Sequence, residues 1–353
     1  MSLEDLDLEP PGTGEVRLEV VGCGVCHTDL HVIKGEVDFP TPCVLGHEVS
    51  GRVVETGAGV SRTSVGDAVV CSFVMPCQTC ARCVAGHDDL CETFFSQNRL
   101  LGRLYDGRTR LGRADGAPVA MYSMAGFAEQ VVVPASAVFR APEGTDLAHA
   151  AILGCSLLTA YGAVRNVADL HPGQDVAVVA SGGVGLAIVM LAKAFGADRI
   201  IAIDLDDEKL ELAAQLGATH TVNAAAAPPV DAVRELTAGR GVDVAFEALG
   251  SAGTFATAVE SVADGGRAVL VGIAPKGVTG SVEITRLVRR KLQVFGSYGG
   301  RPGTDMPELV RLVERGVLAP GALISREYAL DDVPQAFSDL AAGQIRGRAI
   351  VRC

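Results

Sequence analysis

A chain of 353 residues is long enough for two domains, each with a core of its own. A hydrophobic share of 48% against 20% charged residues excludes a disordered polymer, and a net charge of −12 argues against nucleic-acid and anionic-membrane partners. No run of about 18 apolar residues is present and the acidic start is not a signal peptide, so the expected location is the cytoplasm, where ten cysteines serve as thiols rather than disulfides.

Residues 15–21 alternate apolar and charged side chains and read as a half-buried strand that delivers residues 23–31 to its end. Residues 49–56 and 67–74 are two further apolar stretches, parted by the turn-forming Gly57-Ala58-Gly59, and read as strands of a small, mostly antiparallel domain. Cys77, Cys80, Cys83 and Cys91 follow with the spacing of a closed four-thiolate zinc site, which would brace a lobe with little apolar core. Residues 94–118 form a polar excursion with a turn at Asp106-Gly107. A strand at 129–133 and a helix at 148–163, carrying Cys155, lead out of this domain.

An apolar strand then runs through residues 176–185 into a glycine turn, followed by a helix at 186–195 and a second strand at 200–203 that ends in Asp204. Strand, glycine turn, helix, strand and acidic residue make the dinucleotide-binding pattern, with Gly182, Gly183, Val184 and Gly185 under the pyrophosphate and Ala180 standing where the first glycine belongs. Strands at 242–247, 267–273 and 292–297 alternate with helix, 255–263 included, and imply a parallel sheet. Helices near 306–314 and 333–342 and a last strand at 348–352 close the chain.

Cys26, His47 and Cys155 have the donor chemistry to surround one zinc ion. Thiolate sulfur and imidazole nitrogen suit that borderline-soft metal, and three of them leave a fourth position open, which turns zinc from a staple into a Lewis acid.

The segments Cys26-His27-Thr28-Asp29, Gly46-His47-Glu48 and Gly154-Cys155, with the four-cysteine run and the glycine turn, resemble the zinc-containing alcohol dehydrogenases of the medium-chain dehydrogenase/reductase superfamily. Two cysteines and a histidine are the known zinc set of those enzymes. The resemblance covers nearly the whole chain and implies an α/β protein in three stretches. Residues 1–156 would be a GroES-like, mostly antiparallel β catalytic domain with a structural zinc lobe at about 74–95. Residues 157–297 would be a Rossmann domain with a doubly wound parallel sheet, and 298–353 a return to the catalytic domain. It also implies that a strand ahead of residue 15 is missing, so that residues 2–11 enter in mid-domain.

The resemblance further implies roles. Cys26, His47 and Cys155 hold a catalytic zinc, and Cys77, Cys80, Cys83 and Cys91 a structural one. Thr28 takes the substrate proton first and His31 is the terminal base, while Glu48 stands behind the metal and Asp29 orients His47. His27 and Arg348 face the cofactor phosphates, and Lys209 and Ile273 belong to the cofactor site. Asp204, with no arginine among residues 205–208, favours NAD over NADP. Phe73, Met121, Tyr122 and Val294 would line an apolar substrate pocket.

The expected reaction interconverts alcohols with aldehydes or ketones, in a homodimer or a tetramer joined through the strand at 292–297. Alternatives are a reductase acting on an iminium or an activated alkene, a thiol-dependent formaldehyde dehydrogenase, and a non-catalytic cofactor-binding or structural protein. The formaldehyde branch ranks lower because Glu92-Thr93-Phe94-Phe95 follows Cys91 where that branch carries an arginine.

Overall fold

The computed structural model describes residues 1–353, which divide into two units, Met1–Leu158 with Arg301–Cys353, and Thr159–Gly300. In the first unit the strand Glu15–Val25 is the hub. It pairs antiparallel with Arg348–Arg352, Val49–Thr56 and Gln130–Pro134, and two irregularities in its register, at Arg17/Leu18 and Val20/Gly22, bend it. Outward from it the sheet runs to Ala68–Cys71 and Val138–Arg140 on one side and to Ile324–Ala329 on the other. Val16, Leu18 and Val20 alternate into the core, as the sequence pattern requires. A four-stranded sheet of short strands, Asp7–Leu8, Leu111–Gly112, Pro118–Met121 and Cys43–Val44, lies in the same unit.

The structure adds to one expectation and corrects another. The polar excursion at 94–118 is structured: Phe94–Arg99 forms a π-helical turn, Asn98 is buried and donates to Ser123 O at 3.0 Å, and Arg110 is buried between Glu15 and Asp106. Charge and glycine content concealed an interior ion-pair network. The helix expected at 148–163 is broken into Leu147–Ala150, a 3-10 turn Ala151–Gly154 and Ser156–Tyr161. Gly154 abuts the strand Ala68–Cys71 so closely that a Cβ there would meet Cys71 O at 1.7 Å, and Phe73 N donates to the Gly154 carbonyl at 2.9 Å. Cys155, at φ −133 and ψ −74, leaves helical geometry.

The second unit is a six-stranded, all-parallel sheet in the order His220–Asn223, Ile200–Asp204, Val176–Val179, Val242–Glu247, Val262–Leu270, Gln293–Gly296. Sequence order reverses beside Val176–Val179, which makes that strand's carboxyl end the switch point where open α/β sheets bind ligands. The strand shows no apolar-polar alternation because both faces of the sheet are covered: all four residues of Val176–Val179 are buried. No single helix of the chain is long and apolar enough to cross a membrane.

Candidate metal centre and cofactor site

Three segments of the first unit bring four donors together. Cys26 lies between the end of the hub strand at Val25 and the helix His27–Ile33, His47 and Glu48 precede Val49–Thr56, and Cys155 sits at the helix break. Their ligand atoms lie within 4.8 Å of one another, and all four residues are buried. His47 Nδ1 is 3.1 Å from both oxygens of the buried Asp29, which also accepts the Gly46 amide at 3.1 Å. That pairing fixes the ring and leaves Nε2 as the ligand atom. Thr28 Oγ1 lies 3.5 Å from Cys26 Sγ.

The electrostatics suit a cation. A hydrogen bond from Cys155 draws the Cys26 thiol well below its ordinary value against the penalty of burial, with His47 helping, and the same contact pushes Cys155 up. Burial disfavours a charged His47, but Asp29 and the Cys26 thiolate overcome it and raise the imidazole to about 10. A cradle that holds a proton this firmly is one in which a metal ion can replace it. Glu48 is pushed to about 7 by burial, with Arg348 pulling the other way. One Glu48 oxygen pairs with Arg348, and Oε2 is buried without a partner. Arg348, expected to face the cofactor phosphates, is buried and pairs with Glu48 beside the metal cradle, with its Nε left without a hydrogen-bond partner.

The second centre is local. Cys77, Cys80, Cys83 and Cys91 place their sulfurs within 4.8 Å of one another. The Cys77 amide donates to Cys91 Sγ at 3.2 Å and the Cys80 amide to Cys77 Sγ at 3.3 Å. Partial burial raises Cys77, but hydrogen bonds from Thr93, Thr79 and backbone amides bring it down to about 5. A thiolate stabilised by amides is the ligand form zinc takes.

In the second unit the glycine turn fits a dinucleotide. A Cβ at Gly182 would meet nothing within 4 Å, which leaves room for a phosphate above the start of the helix Gly183–Ala194, whereas one at Gly185 would strike Ala180 O at 1.9 Å. Ala180 takes φ +75, so the missing glycine is replaced by an alanine held in a glycine-like conformation. Asp204 Oδ2 accepts the Ser181 amide at 2.7 Å and Oδ1 the Leu205 amide at 2.8 Å, with Lys209 Nζ 3.9 Å away.

Comparison with known proteins agrees with this geometry. Residues 12–143 match the alcohol dehydrogenase GroES-like domain, and residues 183–315 match the zinc-binding dehydrogenase model. A Mycobacterium tuberculosis protein with the provisional name alcohol dehydrogenase D is 35% identical over 98% of this chain and 95% of its own length. The S-(hydroxymethyl)glutathione dehydrogenase of Synechocystis is 33% identical over 98% and 94%. The crystal structure of benzyl alcohol dehydrogenase from Acinetobacter calcoaceticus superposes with a TM-score of 0.93 at 32% identity, covering 99% of this chain and 95% of that one. The chain belongs to the zinc-type medium-chain dehydrogenases. It is an oxidoreductase of that family, built to hold zinc and a nicotinamide cofactor.

The remaining sequence candidates of this dehydrogenase fall into two groups. Phe73 and Tyr122 each stand with ring centroids 6.1 Å from the His47 ring, and Met121 is buried next in sequence. Val294, expected in the substrate pocket, is half-buried and packs on the apolar core of the second unit, against the cluster of Ala177, Val179 and Ala268. Ile273 is 45% exposed beyond the carboxyl end of Val262–Leu270, and His27 is exposed at the start of the helix His27–Ile33. His31 Nδ1 pairs with Glu36. Sequence reading missed Phe39, whose ring meets Tyr122 edge-on at 4.8 Å, and Arg99, whose guanidinium stands 4.3 Å over the same ring. Neither carries a local signal, since Tyr122 gathers them from distant positions.

Proposed function

We propose that this dehydrogenase interconverts alcohols with aldehydes or ketones, using NAD and two zinc ions per chain. The observation that carries the reading is the buried convergence of Cys26, His47 and Cys155 with Glu48. When bound, the zinc supplies Lewis acidity toward the alcohol oxygen and the nicotinamide accepts the hydride.

The chain's own groups do the rest. Asp29 holds His47 in one tautomer so that Nε2 faces the metal. Thr28, beside Cys26, takes the hydroxyl proton of the substrate, and His31 is its final acceptor. With Nδ1 paired to Glu36, His31 has Nε2 left as the acceptor. Glu48, with its spare buried oxygen, supports exchange of ligands behind the metal. Asp204 supports NAD, because its carboxylate would repel a 2′-phosphate and Leu205, Asp206, Asp207 and Glu208 supply no arginine to receive one. Cys77, Cys80, Cys83 and Cys91 hold the structural zinc. Phe73 and Tyr122 beside His47 favour an alkyl or aromatic alcohol. The strand Gln293–Gly296, at the sheet's edge, would join two copies in a cytoplasmic homodimer, with a tetramer as the next assembly.

Arg99 supports a second reading, in which the substrate bears a carboxylate, as a glutathione adduct of formaldehyde does. The test is absorbance at the NADH band on zinc-replete protein, with NAD or NADP, simple and benzylic alcohols, and formaldehyde with and without glutathione. NAD-dependent, chelator-sensitive oxidation of simple alcohols is the expected result. Turnover confined to formaldehyde with glutathione would install the second reading, and turnover with NADP alone would overturn the NAD assignment.

A further inference from the structure

Glu247 ends the strand Val242–Glu247, which pairs with Val176–Val179 at the switch point of the cofactor sheet. It is 2% exposed, and no cation pairs with it. Instead its Oε1 accepts the Leu249 amide at 2.8 Å, the Gly250 amide at 2.7 Å and the Thr254 hydroxyl at 2.7 Å. The same residue's main-chain oxygen accepts the Val271 and Gly272 amides at 2.8 and 3.1 Å. Two loops at the carboxyl edge are thus tied to one residue, 248–251 through its side chain and 271–273 through its backbone.

The loops are also in steric register. A Cβ at Gly272 would meet Gly250 N at 2.1 Å, so the Gly250 turn, at φ +89, rests directly on its neighbour. From this braced platform Leu249 and Ile273 stand out, 59% and 45% exposed. Burying a carboxylate without a counter-charge is costly and is sustained by the hydrogen bonds it accepts. Those bonds all go to the loop and the helix turn that follows it. The cofactor's place, by the rule for such sheets, is in the crevice outside these strand ends.

We propose that Glu247 is a positioning residue of the cofactor site, its carboxylate holding loop 248–251 in the shape the dinucleotide binds against. This rests on the reading of the second unit as a nicotinamide dinucleotide site. Glu247 touches the loop and acts through it, so its effect falls on cofactor affinity rather than on the chemical step.

The experiment measures the dissociation constant of NADH by fluorescence on the full-length, zinc-replete protein, with Tm of the cofactor-free form and the KM–kcat split for NAD alongside. Glu247→Ala should raise the NADH Kd and the NAD KM about tenfold while kcat at saturating NAD changes little. Glu247→Gln keeps an acceptor oxygen at the same place and should stay within about threefold of the wild type. Thr254→Val removes one of three donors and should fall between the two, which keeps the test open if the alanine variant does not fold. Unchanged Kd in folded Glu247→Ala and Thr254→Val, with only Tm lowered, overturns the proposal, as does a glutamine variant no better than alanine. A wild-type protein that binds neither NADH nor NADPH sinks the cofactor reading itself, a result distinct from wild-type binding that the variants leave intact.

Discussion

Cys77, Cys80, Cys83 and Cys91 come from one short run of chain, and the first three stay partly exposed, whereas Cys26, His47, Glu48 and Cys155 come from three distant segments and are all buried. The donor chemistry overlaps, but the construction is opposite. In the four-cysteine lobe, amides of the same run donate to the sulfurs, so the ligands and their support are made together. In the buried cradle the support is remote: Asp29 on His47, Arg348 on Glu48, and the strand beneath Gly154 that swings Cys155 out of its helix. A local site organises its own lobe, while an assembled site reports that the whole unit has folded.

Four substitutions sharpen that contrast. Cys26→Ser should lower turnover more than about a thousandfold, through loss of Lewis-acid stabilisation worth several kcal/mol, while NADH binding and Tm stay near wild type. Intact turnover, read at the NADH band, would break the assignment of the buried cradle as catalytic. Cys91→Ser should act the other way round. Zinc content should fall by one ion per chain and Tm by several degrees, because metal binding there is folding energy; unchanged Tm with the ion lost would deny the lobe its structural role.

Asp29→Asn keeps the size of the side chain but removes the charge that orients His47. A loss of about 10- to 100-fold in turnover or zinc affinity is expected for a ligand-supporting carboxylate, measured by kinetics and competitive chelation. The smallest effect belongs to the sheet edge. Hydrogen bonds from Arg352 and then His149 hold the Glu327 carboxyl at about 2, below its ordinary 4.5. Its contribution is therefore complete above about pH 4.5 and is lost as pH falls toward 2. With the side chain 40% exposed, screening keeps it under about 1 kcal/mol. Glu327→Gln should flatten the acid limb of a stability–pH curve by that amount, and an unaltered limb would show the ion pairs contribute nothing.

The same contrast explains what could be read before the structure. The four-cysteine lobe was legible from spacing alone, and the glycine turn with Asp204 from pattern, because both are local. Strands such as Val49–Thr56 and Val242–Glu247 were legible to the residue, since their apolar runs end at turn signals. The contact of Arg348 with Glu48 was not legible, because nothing in its neighbourhood announces a carboxylate that lies far away in sequence and close in space. The break at Cys155 was hidden for a related reason: residues 148–163 are good helix material, and the strand packed on Gly154 overrules them. Arg110 and Asn98 look like loop polarity until Glu15 and Ser123 close over them.

The strand Arg348–Arg352 has a consequence for synthesis. It lies between Ile324–Ala329 and Glu15–Val25, so the sheet made mostly from the first part of the chain is completed by one of its last segments. During translation, Thr159–Gly300 emerges whole and can fold as it leaves the ribosome, while the strand Glu15–Val25 waits with an open edge for a partner still unmade. Arg348 arrives on that same strand, so the carboxyl of Glu48 gains its counter-charge only at the end. The nascent chain thus carries an unpaired stretch of the hub strand, and a Glu48 carboxyl without its counter-charge, until its last segment is made.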